Sequence, residues 1–197
     1  MKKQSLNGAW TLEIPGSAFG SVPARVPGSV YHDLLTAGMI PDPFYRDNEL
    51  QALQLMENEF HYRRSFTADA ELLKSDRVLL RCEGLDTLAE IYLNDRLVGR
   101  ADNMHRIWEF DAKDALHEGE NRIEVRFADP KLCARREGDE IVVSAEAYAR
   151  SVEIRCGADV VLEANYFDMN AGERRVRVLR GAPEEITLRS VYDIGRV

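Results

Sequence analysis

The chain has 197 residues, of which 45% are hydrophobic and 30% charged, a composition typical of a globular protein with one large domain or two small ones. Its formal net charge of −8 argues against nucleic acid as a partner, because phosphate binding needs clustered lysine and arginine. No run approaches the roughly 20 apolar residues that span a bilayer, so we expect no membrane partner. The N-terminal lysines are not followed by the apolar run of a secretory signal, and we therefore expect a cytoplasmic location.

The first predicted element is a strand near the N-terminus, in which apolar and polar side chains alternate. Its inward set is Trp10, Leu12 and Ile14. The following stretch, to Arg25, is rich in glycine, serine and proline and predicts a loop.

A single short helix is predicted next, with Ser29 as its N-cap, Asp33 in the favourable first turn and Gly38 as its C-terminal stop. Its buried stripe is expected to consist of Val30, Leu34 and Leu35.

Residues 40–45 (IPDPFY) predict an irregular loop, since two prolines remove backbone donors and fix φ. We expect Phe44 and Tyr45 to pack beneath this loop rather than to contact a ligand. Residues 50–58 predict a short helical turn, and residues 60–66 predict a strand.

The central block, residues 78–127, carries the strongest pattern in the chain. Strict alternation predicts antiparallel strands, each with one buried and one wet face. The Asn94-Asp95 pair predicts a hairpin turn, because both residue types tolerate positive φ. The inward sets are Val78, Leu80 and Cys82, then Ala89, Ile91 and Leu93, and finally Ile123, Val125 and Phe127.

Residues 128–139 hold a proline, a charge cluster and a glycine, and they are the best candidate for a domain boundary. Five strand-like runs separated by turns follow, which predicts a piece of an immunoglobulin-like sandwich. These runs are 141–144, 151–155, 160–164, 176–179 and 186–190.

Known chemical motifs are missing from the sequence. It contains no dinucleotide-binding glycine motif, P-loop or nucleophile elbow. The three cysteines and four histidines are too widely spaced to predict a metal site or a disulfide framework. Glycoside hydrolysis needs two carboxylates held about 5 to 10 Å apart, and spacing alone singles out no such pair among the 34 acids. We therefore expect no cofactor and no metal.

Several runs resemble the β-mannosidases of glycoside hydrolase family 2. They are LNGAW at 6–10, VPGSVYHDLLTAGMIPDPFYRDNE at 26–49, YRRSF at 62–66, GLDTLAEIYLNDRLVGRADNMHRIWEFD at 84–111 and LHEGENRIEVRF at 116–127. The resemblance implies an all-β fold, a jelly-roll β-sandwich like a galactose-binding domain, which in that family precedes a catalytic barrel. The barrel supplies both catalytic glutamates, and a fold of some 200 residues or more is too large to be contained here.

The end of the chain resembles the final immunoglobulin-like domain of the same enzymes, in EAYARSVEIRC, VVLEANYFDMNAGERRVRVL and ITLRSVYD. We therefore expect a sugar-binding jelly roll at 1–130, a junction at 131–140 and a partial immunoglobulin-like segment at 141–197. The terminal strands could complete the jelly roll by adding to its sheet edges, or they could form a separate lobe.

Polar side chains in loops at one end of a sandwich can hydrogen-bond sugar hydroxyls, so the candidate sugar-binding residues are Asn58, Asp102, Asn103 and Arg106. The competing interpretation is that Asp102 and Asn103 form only a turn and that Arg106 is a surface charge. No catalytic residue is predicted.

Three functions stay open. The chain could be a non-catalytic fragment or relic of a β-mannosidase-type glycoside hydrolase, which acts as a scaffold or as a sugar-binding module whose partner is a β-mannoside or another sugar. It could instead be an interaction module that forms homo-oligomers through open sheet edges. Or it could be an accessory part of an active β-mannosidase whose barrel is supplied elsewhere.

Overall fold

The structure is a computed structural model, and it describes residues 2–55 and 58–193. The chain divides into two compact units, Met1–Ala128 and Asp129–Val197. Both consist mainly of antiparallel β-strands, and each sheet is made of strands from one unit. The predicted all-β class is confirmed.

In its described part, unit 1 has eight strands and three short helices. The strands are β1 (Gly8–Glu13), β2 (Ser21–Val26), β3 (Phe60–Thr67), β4 (Leu79–Glu83), β5 (Ala89–Leu93), β6 (Arg96–Ala101), β7 (Ile107–Asp111) and β8 (Glu120–Phe127). The helices are α1 (Val30–Thr36), α2 (Asn48–Leu55) and α3 (Ala70–Leu73). Helix α1 was predicted as a helix, and α2 overlaps the predicted helical turn at 50–58, of which residues 56 and 57 lie outside the described residues. Helix α3 was not predicted.

The strands of unit 1 form two layers. Six of them make an antiparallel sheet in the order β2-β1-β3-β8-β5-β6, and β4 pairs with β7 in a second sheet. Leu80, Trp108 and Phe110 of the second sheet pack against the buried core of the first. Two sheets enclosing one apolar core are the jelly-roll sandwich that the sequence predicted.

The predicted alternation of buried and exposed side chains is confirmed in β1 and β5. Trp10, Leu12 and Ile14 are buried, as are Ala89, Ile91 and Leu93. The β5–β6 hairpin turns at Asn94 and Asp95, whose φ angles are +49° and +64°. The central block is nevertheless divided between the two layers, since β4 and β7 belong to the smaller sheet.

Strand β2 was predicted as a loop because of its proline. Val22 and Ala24 point into the core, and Pro23 lies between them on the exposed face. The strand is at the edge of the sheet, where a residue without an N–H group is tolerated.

Helix α1 begins as predicted, with the Ser29 hydroxyl accepting the backbone N–H of His32 at 3.3 Å. The predicted buried stripe is wrong at one position: Leu35 is 40% exposed, while Asp33 is 4% exposed. The carboxylate is buried because Tyr62 and the backbone of Arg25 donate hydrogen bonds to it.

The expectation that Phe44 and Tyr45 pack beneath their loop is also wrong. Phe44 is 97% exposed and Tyr45 is 58% exposed. The loop is held by its own hydrogen bonds instead, including one from the backbone N–H of Phe44 to the Asp42 carboxylate at 3.0 Å.

Unit 2 forms two small sheets around its own core. The strands are β9 (Cys133–Glu137), β10 (Glu140–Ala145), β11 (Ala149–Arg155), β12 (Val161–Leu162), β13 (Phe167–Met169), β14 (Gly172–Arg180) and β15 (Thr187–Arg189). One sheet has the order β12-β14-β10-β9, and the other has the order β13-β11-β15. All five predicted runs contain a strand. β9 lies inside the segment predicted as a junction, and the immunoglobulin-like assignment stays a prediction.

No helix within the described residues has both the length and the apolar character that crossing a membrane requires.

Candidate functional site

Three of the four predicted sugar-binding residues lie on the loop between β6 and β7. Asn103 organises this loop: its side-chain oxygen accepts the backbone N–H of His105 at 2.8 Å, and its carbonyl oxygen accepts the indole N–H of Trp108 at 3.1 Å. The guanidinium carbon of Arg106 lies 4.5 Å from the centroid of the Trp108 ring. The structure thus brings Asp102, Asn103 and Arg106 together on one loop.

Asn103 and Arg106 differ in how far their side chains are available to a ligand. The Asn103 oxygen is already used within the loop, as expected of an Asx turn. Arg106 is exposed, and a guanidinium stacked on an aromatic ring keeps its N–H groups available in the plane. Sugar contact by these residues stays a prediction.

Asn58 lies elsewhere, on the connection between α2 and β3. It lines a cleft of about 300 Å³ whose described lining includes none of the other three candidates. The cleft is bounded by Phe19 of the β1–β2 loop, by Ile40 after α1 and by Leu55 of α2.

Sequence reasoning missed two further side chains in this cleft, Asn48 and Gln51. They lie on one face of α2, and the cleft joins them to Asn58 and to Phe19, which is remote in sequence. The i, i+3 spacing of Asn48 and Gln51 was a visible signal, but it has meaning only once residues 48–55 are known to be helical.

A charged sheet face is formed on the six-stranded sheet by Arg63, Glu124, Arg126, Glu90 and Arg100. The Glu124 side chain is 3% exposed and accepts hydrogen bonds at 2.9 Å from Arg63 and from Arg126. Arg126 lies 4.3 Å over the Tyr92 ring. Glu90 accepts from Arg100 at 2.9 Å and from the Tyr92 hydroxyl at 2.7 Å.

On this face the buried charge of Glu124 is compensated by the guanidinium groups of Arg63 and Arg126. Burial by itself would raise the pKa of Glu124, but the hydrogen bonds from Arg126 and Arg63 outweigh it and the pKa is lowered. A glycosidase acid needs a raised pKa so that it holds its proton near neutral pH. Glu124 is therefore an ionised structural carboxylate.

Cys82 and Cys156 are not activated thiols. Burial raises the pKa of Cys82 to about 11 and also raises that of Cys156. Within residues 2–55 and 58–193, no group of three or more histidine, cysteine or acidic side chains is placed to hold a metal ion.

Unit 2 has a cleft of about 480 Å³, bounded by Ile154, Cys156, Val160 and Asn165 among others. Among the described residues, neither this cleft nor that of unit 1 is lined by a carboxylate.

Comparison with protein families gives a match over residues 7–161 to the model described as "Glycosyl hydrolase 2 galactose-binding domain-like". The match extends past the predicted junction into β12.

Among curated proteins, the β-mannosidase of Capra hircus is 33% identical over 135 residues, which are 68% of this chain and 15% of that protein. The probable β-mannosidase of Caenorhabditis elegans is 27% identical over 156 residues, 79% of this chain and 17% of that protein. The chain thus matches only about 15% of the length of such relatives.

Among solved structures, the β-D-mannosidase of Dictyoglomus thermophilum has a TM-score of 0.61 at 24% identity, covering 97% of this chain and 31% of that chain. The exo-chitosanase of Amycolatopsis orientalis has a TM-score of 0.56 at 13% identity, covering 96% and 29%. At these identities the likeness establishes the fold.

Proposed function

The chain belongs to the glycosyl hydrolase 2 galactose-binding domain-like family, and on that premise we propose that it is a sugar-binding module that does not hydrolyse glycosides by itself. The observation that carries the proposal is the combination of this family match with clefts whose described lining contains no carboxylate. The described lining of the unit 1 cleft is apolar apart from three neutral amides, which suits recognition of a sugar ring and its hydroxyl groups, and it lacks the acid pair that cleavage needs.

The sugar partner is supported by the relatives, which include β-mannosidases matched over 68% of this chain. We propose a β-mannoside as the first ligand to test. We propose that it contacts one of two separate regions: the cleft that holds Asn58, or the β6–β7 loop that holds Asp102, Asn103 and Arg106.

The ionised state of one buried carboxylate, Glu124, agrees with a module that does not hydrolyse glycosides by itself. Glu124 is held by two guanidinium groups that lower its pKa, so it cannot deliver a proton to a leaving group near neutral pH.

Calorimetric titration of the purified chain with methyl β-D-mannopyranoside tests the binding half of the proposal. We expect saturable heat that glycerol at the same concentration does not produce. Heats of dilution alone, over the whole titration, would remove the sugar-binding function.

A second candidate function is self-association, and the smaller sheet of unit 1 favours it. Within the described residues, β4 and β7 pair only with each other, which leaves both outer edges open. Leu79 is 41% exposed and Ile107 is 53% exposed on these strands. Light scattering that gives twice the monomer mass would support this function, and a monomer mass at high concentration would exclude it.

A further inference from the structure

The cleft beside α2 has a lining suited to one class of ligand. We propose that this amide cleft, defined by Asn48, Gln51 and Asn58 together with Phe19, Ile40 and Leu55, binds a single ring of an uncharged pyranose. The inference rests on the proposed sugar-binding function and deepens it by assigning the site, the number of rings and the charge of the ligand.

The size of the cleft fits one ring. Its volume of about 300 Å³ lies at the lower end of the range for small-molecule sites. An oligosaccharide would therefore place one residue in the cleft and the others outside it.

Two of the amides are oriented by their own hydrogen bonds. The Asn48 side-chain nitrogen donates to the carbonyl oxygen of Asp42 at 2.9 Å, and the Asn58 side-chain nitrogen donates to that of Leu55 at 2.9 Å. Each bond fixes the amide plane and leaves Oδ1 without a hydrogen-bond partner among the described residues. Such oxygens can accept hydrogen bonds from sugar hydroxyls.

Gln51 adds both a hydrogen-bond donor and a hydrogen-bond acceptor to the cleft. Its side chain is exposed and makes no hydrogen bond within the described part of the chain. It can therefore offer a donor and an acceptor to a hydroxyl, which is itself both donor and acceptor.

The rest of the lining is apolar and suits the C–H faces of a pyranose. Phe19, Ile40 and Leu55 form this part of the cleft. Pro41 and Asn48 line the cleft, and Phe44 lies on the loop that joins them. The backbone N–H of Phe44 donates to the Asp42 carboxylate, and its ring is 97% exposed, whereas the neighbouring Tyr45 ring carries the guanidinium of Arg46 at 5.2 Å. Covering the Phe44 ring with a ligand would be favourable.

The charge of the ligand follows from the side chains present. Among the described residues, none that lines the amide cleft is ionisable. A uronate or sulfated sugar would lose water around its charge without gaining a partner, which is costly. A neutral hexose incurs no such loss.

The test is a ¹H–¹⁵N NMR titration of the full chain with methyl β-D-mannopyranoside. We expect the side-chain NH2 signals of Asn48, Gln51 and Asn58 to move in a saturable way. Gln51→Leu, which keeps a good helix former and breaks no described hydrogen bond, should weaken binding about three- to tenfold. Phe44→Ala, at a nearly fully exposed position, should weaken it by a similar factor.

A matched control locates the effect. Tyr166→Ala removes an exposed aromatic ring from unit 2 and should not change the affinity. If the sugar binds but shifts Asn103 and the Arg106 loop instead, or if Gln51→Leu and Phe44→Ala bind normally, the amide cleft is overturned while the proposed function stands. Equal affinity for D-glucuronate would overturn the assigned ligand charge. No shift anywhere with the mannoside would overturn the proposed function together with its site.

Discussion

The Tyr62 hydroxyl donates a hydrogen bond to Oδ2 of Asp33 at 2.9 Å, and this contact joins β3 to helix α1. The other carboxylate oxygen, Oδ1, accepts the backbone N–H of Arg25 at 3.1 Å, at the end of β2. Burial raises the pKa of Tyr62, and the hydrogen bond to Asp33 raises it further, so the phenol remains a donor at any ordinary pH. One buried carboxylate thus fastens α1 against the sheet, next to the connection that leads into the amide cleft.

Tyr62→Phe should lower the free energy of unfolding by about 1–3 kcal/mol, because it leaves a buried carboxylate oxygen without its donor. Urea unfolding followed by circular dichroism measures the change. Tyr92→Phe is the matched control: the Tyr92 hydroxyl also donates to a carboxylate, but Glu90 keeps its bond to Arg100 and the site is only half-buried. Equal losses in the two variants would contradict the role assigned to Asp33.

Glu124→Gln should lower the free energy of unfolding by about 1–3 kcal/mol, since it removes the buried charge that Arg63 and Arg126 share. The expected loss of unfolding free energy is smaller than for a fully buried ion pair, because both guanidinium groups are about one third exposed. Glu137→Gln is the control, as Glu137 accepts from Arg135 and Arg175 in an exposed arrangement of the same kind. Urea unfolding should show a much smaller loss for the control, and the reverse order would contradict the account.

His61 should make stability depend on pH just below neutrality. Burial lowers its pKa, and the positive charges of Arg126 and Arg63 act in the same direction against the opposing effects of Glu124 and Glu59. Between the folded pKa and about 6.5, the unfolded chain binds a proton that the folded chain does not. The free energy of unfolding should therefore decrease as the pH falls through this window, and His61→Gln should remove that part of the decrease. An NMR titration placing the His61 pKa at or above 6.5 would contradict this.

Gly99 on β6 faces the ring of Phe110 on β7, and a Cβ added at Gly99 would overlap that ring. Gly99→Ala should therefore lower the free energy of unfolding by about 1–3 kcal/mol through overpacking. Phe110→Ala removes the ring that the added Cβ would overlap. In a double-mutant cycle, Gly99→Ala should therefore lower the free energy of unfolding clearly less in the Phe110→Ala background than in the natural sequence. Strict additivity of the two substitutions would show that the contact is not the cause.

Much of unit 1 could be predicted from its sequence because the signals were local. Alternation placed the inward sets of β1, β5 and β8, and the Asn94-Asp95 pair fixed one hairpin. Strand β2 was missed, since its proline was interpreted as a loop signal although the strand lies at a sheet edge.

Buried polar residues were missed for a different reason. Glu124 was placed on the wet face by its position in the alternation, and it is buried because arginines on two strands cover it. Asp33 was interpreted as a helix-start residue, while its partner Tyr62 lies 29 positions further along the chain. Pairings between distant residues leave no pattern in a single sequence.

The candidate site was predicted only in part for the same reason. The β6–β7 loop is contiguous, so Asp102, Asn103 and Arg106 were found together. The amide cleft combines Phe19, Ile40, Asn48 and Asn58 from separate segments, and of these only Asn58 was singled out beforehand.

Incubating the purified chain alone with 4-nitrophenyl β-D-mannopyranoside tests whether the sugar-binding module hydrolyses glycosides by itself. We expect no release of nitrophenol above the buffer rate, because the described clefts offer no pair of carboxylates and Glu124 is held ionised. Release at a rate that scales with the concentration of the chain would show that the chain is itself a glycosidase.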